Sequence, residues 1–225
     1  MIAGWYLAGT DTGVGKTFVA SALVRACTAA GVPVRAMKPV ASGAAQTPQG
    51  LRNDDALALI DALPEPKPAY DDVNPYALRE PIAPHLAAAR DGVAIDLAAI
   101  ALRFRRLGED RGSLVVVEGV GGWSVPLNDA EMQADLVRAL GLPVVLVVGL
   151  RLGCINHALL SARAIRADRC TLGGWIGNRI DPALQYPDDV IATIAKFLGK
   201  PLALVARDGT IEPEALDRLR RIDDA

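Results

Sequence analysis

Two histidines, His85 and His157, in 225 residues are too few for a histidine-ligated metal centre or a histidine-based hydrolase triad. Cysteine is nearly as scarce. Cys27, Cys154 and Cys170 are odd in number and widely spaced, which neither staples a small secreted fold nor completes a four-ligand zinc site, and which fits a reducing compartment. An excess of one charge is also missing: the formal net charge is −2, with arginines scattered among acids. That gives no basic field for nucleic acid and favours a small-molecule partner. No apolar run reaches the roughly 20 residues that span a bilayer. The N-terminus passes from Met1 almost directly into Trp5-Tyr6-Leu7-Ala8, with no basic segment and no cleavage site. The expectation is a cytoplasmic protein with no membrane partner. Internal repeats and low-complexity tracts are absent as well.

What the chain does have is apolar residues, about half of the total, enough to bury a substantial core in one α/β domain spanning residues 1–225. Runs of strand length recur at Trp5–Ala8, Val34–Met37, Leu114–Val117, Val144–Val148, Leu172–Ile176 and Leu202–Val205. Helical periodicity marks Thr17–Ala30, Asp55–Leu63, Leu97–Leu107, Met132–Leu140, Ile155–Ala167, Asp188–Leu198 and Glu214–Arg221. Such alternation predicts a doubly wound, mostly parallel sheet with helices on both faces. Leu114–Val117 and Val144–Val148 lack polar alternation, as strands covered on both faces should. Pro64–Pro84 holds six prolines and no clear period, and reads as a long loop or an insertion. The charged tail after Glu212 reads as a surface helix prone to fraying.

The first strand runs into Gly9-Thr10-Asp11-Thr12-Gly13-Val14-Gly15-Lys16-Thr17, where a helix begins. The strict phosphate-loop pattern places its first glycine at the position of Thr10; here it lies one residue earlier, at Gly9. The physics is the same. Gly9, Gly13 and Gly15 let consecutive backbone N–H groups wrap phosphate oxygens, Lys16 adds a point charge for the β- and γ-phosphates, and Thr17 offers a hydroxyl to magnesium. The helix start contributes its positive dipole end, worth about 0.3–1 kcal/mol for an exposed anion.

Further polar residues sit at predicted strand ends. Glu118 follows Leu114–Val117, at the rim where doubly wound sheets bind ligands. Unpaired there, it would cost several kcal/mol, which argues for a cationic partner at the magnesium rim, against a purely structural pairing with an arginine or with loop amides. In Asn53-Asp54-Asp55, Asp54 is assigned the helix N-cap, which leaves Asp55 a candidate magnesium contact. Lys38 ends the second strand beside Ala41-Ser42-Gly43 and is either a solvated rim charge or part of an anion site. Asn178-Arg179-Ile180-Asp181 echoes a guanine-reading motif, yet an asparagine at a strand end reads adenine equally well. Gly153-Cys154-Ile155-Asn156 presents free N–H groups to a carboxylate, while Cys154 and His157 themselves read as packing and capping. Trp123 and Trp175 read as core or loop anchors.

At these residues the chain resembles the dethiobiotin synthetase family of the biotin pathway. The motifs are Gly9-Thr10-Asp11-Thr12-x-Val14-Gly15-Lys16-Thr17, Lys38-Pro39-Val40-x-Ser42-Gly43, Asn53-x-Asp55-Ala56, Asn74-Pro75-Tyr76, Glu80-Pro81-x-x-Pro84-His85, Val117-Glu118-Gly119-x-Gly121-Gly122-Trp123 and Gly153-Cys154-Ile155-Asn156-His157. Any one is short; their order and spacing are specific. The resemblance implies a homodimeric ligase that uses ATP and Mg2+ to close a ureido ring on 7,8-diaminopelargonic acid with CO2. It implies nucleotide contacts from Gly13, Val14, Gly15, Lys16, Thr17, Phe18, Asp55, Glu118, Gly119, Val120, Gly121 and Asn178, the last on the base. Magnesium falls to Thr17, Asp55 and Glu118, and catalysis to Lys38 and Lys16. Substrate contacts fall to Thr12, Ser42, Gly122, Leu150, Gly153, Cys154 and Asn156, the last four in a loop that takes the distal carboxylate across the dimer interface.

Two positions depart from the family pattern. Gly13 stands where some members carry a carboxylate, and Leu202–Arg207 lacks the expected proline-containing loop beside the nucleotide. Two rival readings share a similar phosphate-loop domain. A ParA/MinD-like ATPase scaffold would carry a signature lysine where this chain has Asp11, and a cobyrinic-acid-type amidotransferase would need a glutaminase domain for which the chain is expected to be too short.

Overall fold

The structure is a computed structural model that describes residues 2–109, 112–212 and 214–222. In chain order, β1 (Gly4–Gly9) enters α1 (Lys16–Ala29) through the glycine-rich loop, and β2 (Val34–Met37) follows. Next come β3 (Val40–Ser42), β4 (Ala45–Thr47), β5 (Gly50–Arg52), α2 (Asp54–Ala62), α3 (Tyr70–Val73), β6 (Tyr76–Leu78), α4 (Pro84–Asp91) and α5 (Leu97–Leu107). Then β7 (Leu114–Glu118), α6 (Gln133–Leu140), β8 (Val144–Gly149), α7 (Cys154–Ala167), β9 (Leu172–Asn178), α8 (Pro187–Leu198), β10 (Ala203–Val205) and α9 (Glu214–Arg220) complete the order.

The main sheet runs β10-β9-β8-β1-β7-β2, and every pairing in it is parallel. Successive side chains of a strand point to opposite faces, and the core divides accordingly. Trp5, Leu7, Val116, Val145 and Val147 pack with Val19, Leu23, Leu59 and Leu219 of α1, α2 and α9. On the other face, Tyr6, Ala8, Val117, Leu146 and Val148 pack with Phe104, Leu136, Ile165 and Ile194 of α5, α6, α7 and α8. The doubly wound architecture read from the alternating pattern is therefore present. From central β1 the chain crosses to β2, outside β7, and later returns through β7 to β8 on the opposite side. That reversal opens a crevice at the carboxyl ends of β1 and β7.

Several elements differ from the sequence reading. β7, β8 and β9 run one or two residues past their apolar stretches, to Glu118, Gly149 and Asn178, because backbone pairing continues where hydrophobicity stops. Pro64–Pro84 is not one long loop. It contains α3 and β6, and β6 pairs in parallel with β3, so the missing periodicity reflects short elements on a second, two-stranded sheet. Asp54 is not the N-cap of α2 but its first residue; Asn53 caps, accepting from the N–H groups of Asp55 and Ala56 at 3.0 and 3.4 Å. α9 is docked rather than fraying at the surface. Ala215, Leu216 and Leu219 are buried, and the Trp5 indole donates to the Leu219 carbonyl at 3.1 Å.

The docking of α9 makes Leu219 a core residue despite its place in a charged tail. Leu219→Ala is expected to cost about 2–5 kcal/mol in denaturant unfolding. Leu102→Ala, at a half-exposed position of α5, should change stability by less than about 0.5 kcal/mol. Equal effects at the two sites would mean that α9 is not part of the folded core.

Candidate active site

The loop from Gly9 to Lys16 holds its shape through two left-handed residues, Gly13 at φ 75° and Gly15 at φ 81°. Gly15 is required twice over, because a Cβ there would also lie 2.2 Å from the Asn178 amide nitrogen. Asn178 braces the loop from beneath: it is 3 % exposed, and its Nδ2 donates to the Val14 carbonyl at 2.9 Å. Val14 itself is buried. The N-terminus of α1 has no side-chain cap and no acid in its first turn, so its free N–H groups face the crevice as an anion site. Lys16 opens that helix and folds back over the loop, donating to the Gly121 carbonyl at 2.6 Å and the Asp11 carbonyl at 3.3 Å. Burial, followed by the neighbouring Lys38 charge, pulls the Lys16 ammonium down to about 8.

Beside it lies a charge cluster built on a buried lysine and a buried glutamate. Lys38, immediately after β2, is 2 % exposed and reaches Glu118 Oε1 at 2.5 Å, Asp55 Oδ2 at 3.0 Å and the Gly119 carbonyl at 3.3 Å. Burial alone would lower the Lys38 pKa, but Glu118 and Asp55 more than offset it and hold the ammonium above its ordinary value. Burial likewise works against ionised Asp55, and Lys38 and Thr17 overcome it, so Asp55 stays a carboxylate below the usual range. The Thr17 hydroxyl donates to the same Glu118 Oε1 at 2.8 Å. Glu118 Oε2, in contrast, is buried without a hydrogen-bond partner. A hydroxyl, a carboxylate and a spare carboxylate oxygen side by side form a hard-oxygen set of the kind Mg2+ takes together with phosphates. Among the described residues no group of three or more His, Cys, Asp or Glu side chains is arranged to hold a metal by itself.

Lys38 is held from behind by residues the sequence reading did not single out for a positioning role. The Lys38 N–H donates to the Val73 carbonyl, and its carbonyl accepts from Asn74 Nδ2 at 2.6 Å. Asn74 Oδ1 accepts from the Tyr70 hydroxyl, which in turn accepts from the N–H of the capping Asn53. Asn53 Nδ2 reaches the Ser42 carbonyl. Thus the capping residue of α2, which carries Asp55, is joined to the backbone of Lys38. Asn74 appeared in the sequence only as part of a short motif; Tyr70 lies four residues before it, at the other end of α3, and no local pattern announces the reach of this pair to Lys38 and Asn53.

A cavity of about 880 Å³ gathers Thr12, Gly13, Gly15, Lys16, Thr17, Phe18, Lys38, Ser42, Asp55, Glu118, Val120, Gly121 and Gly122. Of the remaining expected site residues, Val14, Gly119 and Asn178 are buried and do not line it. Gly153, Cys154 and Asn156 instead line a separate cavity of about 680 Å³ with Arg151, Leu152 and Asp181. Leu150 lines neither: it is 1 % exposed, and its N–H is taken by the Asn178 carbonyl, so its side chain belongs to the core. Between the two cavities Arg151 Nη2 pairs with Asp11 Oδ2 at 2.7 Å, a link between loops 140 residues apart that no local pattern announces. Cys154 is buried, as expected of a packing residue, and Trp123 and Trp175 are core anchors.

A family model described as AAA domain matches residues 3–214. The chain is 53% identical over 197 residues, covering 88% of it and 87% of the relative, to the ATP-dependent dethiobiotin synthetase BioD of Xanthomonas oryzae pv. oryzae (strain PXO99A). It is 50% identical over 198 residues, with the same coverage, to that of Aromatoleum aromaticum (strain DSM 19018 / LMG 30748 / EbN1). Among solved structures, chloroplast FtsY from Physcomitrella patens aligns with a TM-score of 0.57 and 18% identity, covering 100% of this chain and 66% of that one. The septum site-determining protein MinD from Pyrococcus horikoshii OT3, complexed with Mg-ADP, aligns with a TM-score of 0.56 and 12% identity, over 100% and 96% of the two chains. At those identities FtsY and MinD share the P-loop NTPase fold and nothing finer. The synthetase relatives are similar in sequence over most of both chains, and the chain belongs to the family of ATP-dependent dethiobiotin synthetases.

Proposed function

We propose that this protein makes dethiobiotin from 7,8-diaminopelargonic acid, CO2 and ATP, acting as a single domain over residues 1–225 and as a homodimer with substrate near the subunit interface. The observation that carries the reading is the buried Lys38–Glu118 pair, joined by Thr17 and Asp55, at the phosphate-loop end of one cavity. A protein that only bound nucleotide would not need a second buried lysine there. The nucleotide phosphates lie along the N–H groups of Gly13–Thr17, and Phe18 flanks them. Val120 and Gly121 form the opposite wall. Asn178, whose Nδ2 is engaged with Val14, meets the base through its amide oxygen.

Mg2+ would be held by Thr17, Asp55 and Glu118, Glu118 through its unpartnered Oε2, and would supply charge neutralisation for the β- and γ-phosphates. In the proposed reaction one substrate amine adds to the carbon of CO2 and loses a proton, giving a carbamate. A carbamate oxygen attacks the γ-phosphorus, the bridge to the β-phosphate breaks and ADP leaves. The second amine then attacks the carbonyl carbon, the carbon–oxygen bond to phosphate breaks, and the nitrogen loses its proton as the ring closes. Lys16 faces the transferring phosphoryl group, and Lys38 the carbamate oxygens. Both charges are fixed before the reaction, which is where electrostatic catalysis gains most. Thr12, Ser42 and Gly122 border the diamine; Ser42 Oγ is buried without a partner. The second cavity, at the start of α7 where no side chain caps the helix, suits the distal carboxylate. Leu152, 92 % exposed at its rim, is the kind of residue a partner subunit covers.

Purified protein given diaminopelargonate, bicarbonate and MgATP should yield a product in which a carbonyl replaces two hydrogens, detected by mass spectrometry. Nucleotide turnover without that product would refute the reading, and substituting GTP or CTP tests the base contact. Lys38→Gln is expected to fold and to lower kcat by about 10²- to 10³-fold. Wild-type turnover in that variant would reduce Lys38 to a structural ion-pair partner. Glu118→Gln should raise the magnesium concentration for half-maximal activity by at least about tenfold; an unchanged magnesium titration would remove Glu118 from the metal site.

The depressed Lys16 pKa gives a pH dependence. In the free protein Lys16 loses its proton as pH rises through about 8. Phosphate favours the charged form, so nucleotide binding takes up a proton above that pH, and affinity falls as pH rises further. The sign for folding is opposite to that of a stabilised lysine, since the charged form is disfavoured in the native state. Stability gained from this group therefore appears as pH rises from about 8 toward the unfolded value. Calorimetric titration of ATP in buffers of different ionisation heat should show the uptake, and an affinity constant between about pH 7 and 9.5 would contradict it.

A further inference from the structure

Gln133 is fully buried, stands first in α6, and spends its entire amide on one loop. Its Oε1 accepts from the Val120 N–H at 2.9 Å, while its Nε2 donates to the Gly122 carbonyl at 2.7 Å and the Trp123 carbonyl at 3.3 Å. The amide orientation follows from chemistry, because a backbone N–H only donates and a carbonyl only accepts. Two other carbonyls of this loop, those of Gly119 and Gly121, meet the site lysines. The first accepts from Lys38 and the second from Lys16, at 3.3 and 2.6 Å. Gly119 lacks a side chain where a Cβ would stand 2.7 Å from Gln133 Oε1, so the amide has a place made for it. Beyond the clamp, the Trp123 indole donates to Asp168 Oδ2 at 2.7 Å, which ties down the far end of the loop. Gln133 thus fixes the Gly119–Val120 and Gly122–Trp123 peptide units, which bracket Gly121, whose φ is 62°.

We infer that Gln133 is a positioning residue: by clamping Val120, Gly122 and Trp123 it sets the two carbonyls from which Lys16 and Lys38 are aimed into the cavity. The inference rests on the ligase reading for its effect on turnover, and on geometry alone for its effect on the loop. Without the amide the loop relaxes and both lysines lose their preset positions. Small misplacements of catalytic groups cost rate more than binding.

The test compares wild type with Gln133→Met, which keeps the side-chain length and fills a similar volume while removing the hydrogen bonds. Expected are a folded protein, a kcat at least about tenfold lower with the KM for ATP within about threefold, and amide exchange at Val120 at least about tenfold faster. A role limited to packing predicts wild-type values for this variant, and wild-type kcat or unchanged Val120 exchange would overturn the inference. Should Gln133→Met fail to fold, Gln133→Asn, which keeps an amide one methylene too short, is held to the same criteria. A wild-type protein that makes no dethiobiotin would refute the ligase reading alone; the exchange comparison would still decide the role of Gln133.

Discussion

The buried contact between Lys38 and Glu118 is the constraint around which the rest of this site is arranged. Removing two opposite charges from water costs several kcal/mol per ion, and the attraction offsets that cost only when the remaining lone pairs and protons are also matched. Most of them are. Lys38 has Glu118, Asp55 and the Gly119 carbonyl, and Glu118 Oε1 has Lys38 and the Thr17 hydroxyl. Glu118 Oε2 is left over. A buried carboxylate oxygen with no hydrogen-bond partner inside an otherwise satisfied cluster is costly for stability and useful for a cation, and on that imbalance the proposed magnesium site rests.

Holding such a pair requires the backbone on both sides to be immobile. Lys38 is pinned through Asn74 and Tyr70 to the cap of α2, so hydrogen bonds join the helix bearing Asp55 to the strand end bearing Lys38. Glu118 belongs to a central strand paired with β1 on one side and β2 on the other. The loop that follows it is clamped by Gln133. A polar cluster supported this way is preorganised, so charge developing on a transferring phosphoryl group meets fixed dipoles rather than ones that must first reorient.

The parallel sheet explains why these groups meet at all. Every strand of a parallel sheet ends at the same edge, and the reversal between β1 and β7 leaves a gap between the helices there. The glycine loop after β1, Lys38 after β2, Glu118 ending β7 and Asn178 ending β9 therefore converge although they lie far apart in the chain. FtsY and MinD share the fold at under 20% identity, and a shared fold does not by itself carry the chemistry at its edge.

The amino-acid sequence by itself determined the alternation of strands and helices, the central position of β7 and β8, the phosphate loop, and the identity of Lys38, Asp55 and Glu118 as strand-end or helix-start charges. Those features are local: they follow from apolar periodicity, from glycines where the backbone must turn left-handed, and from motif spacing. Tertiary structure decided the rest. It made Asn53 rather than Asp54 the cap, ordered the proline-rich stretch through the β3–β6 pairing, and docked α9 beneath Trp5. It separated Gly153–Asn156 from the main cavity and withdrew Leu150 into the core. Asp11–Arg151 and the Gln133 clamp also lay beyond local reading, because hydrogen bonds between separate loops depend on which loops the fold brings together and leave no periodic trace in the sequence.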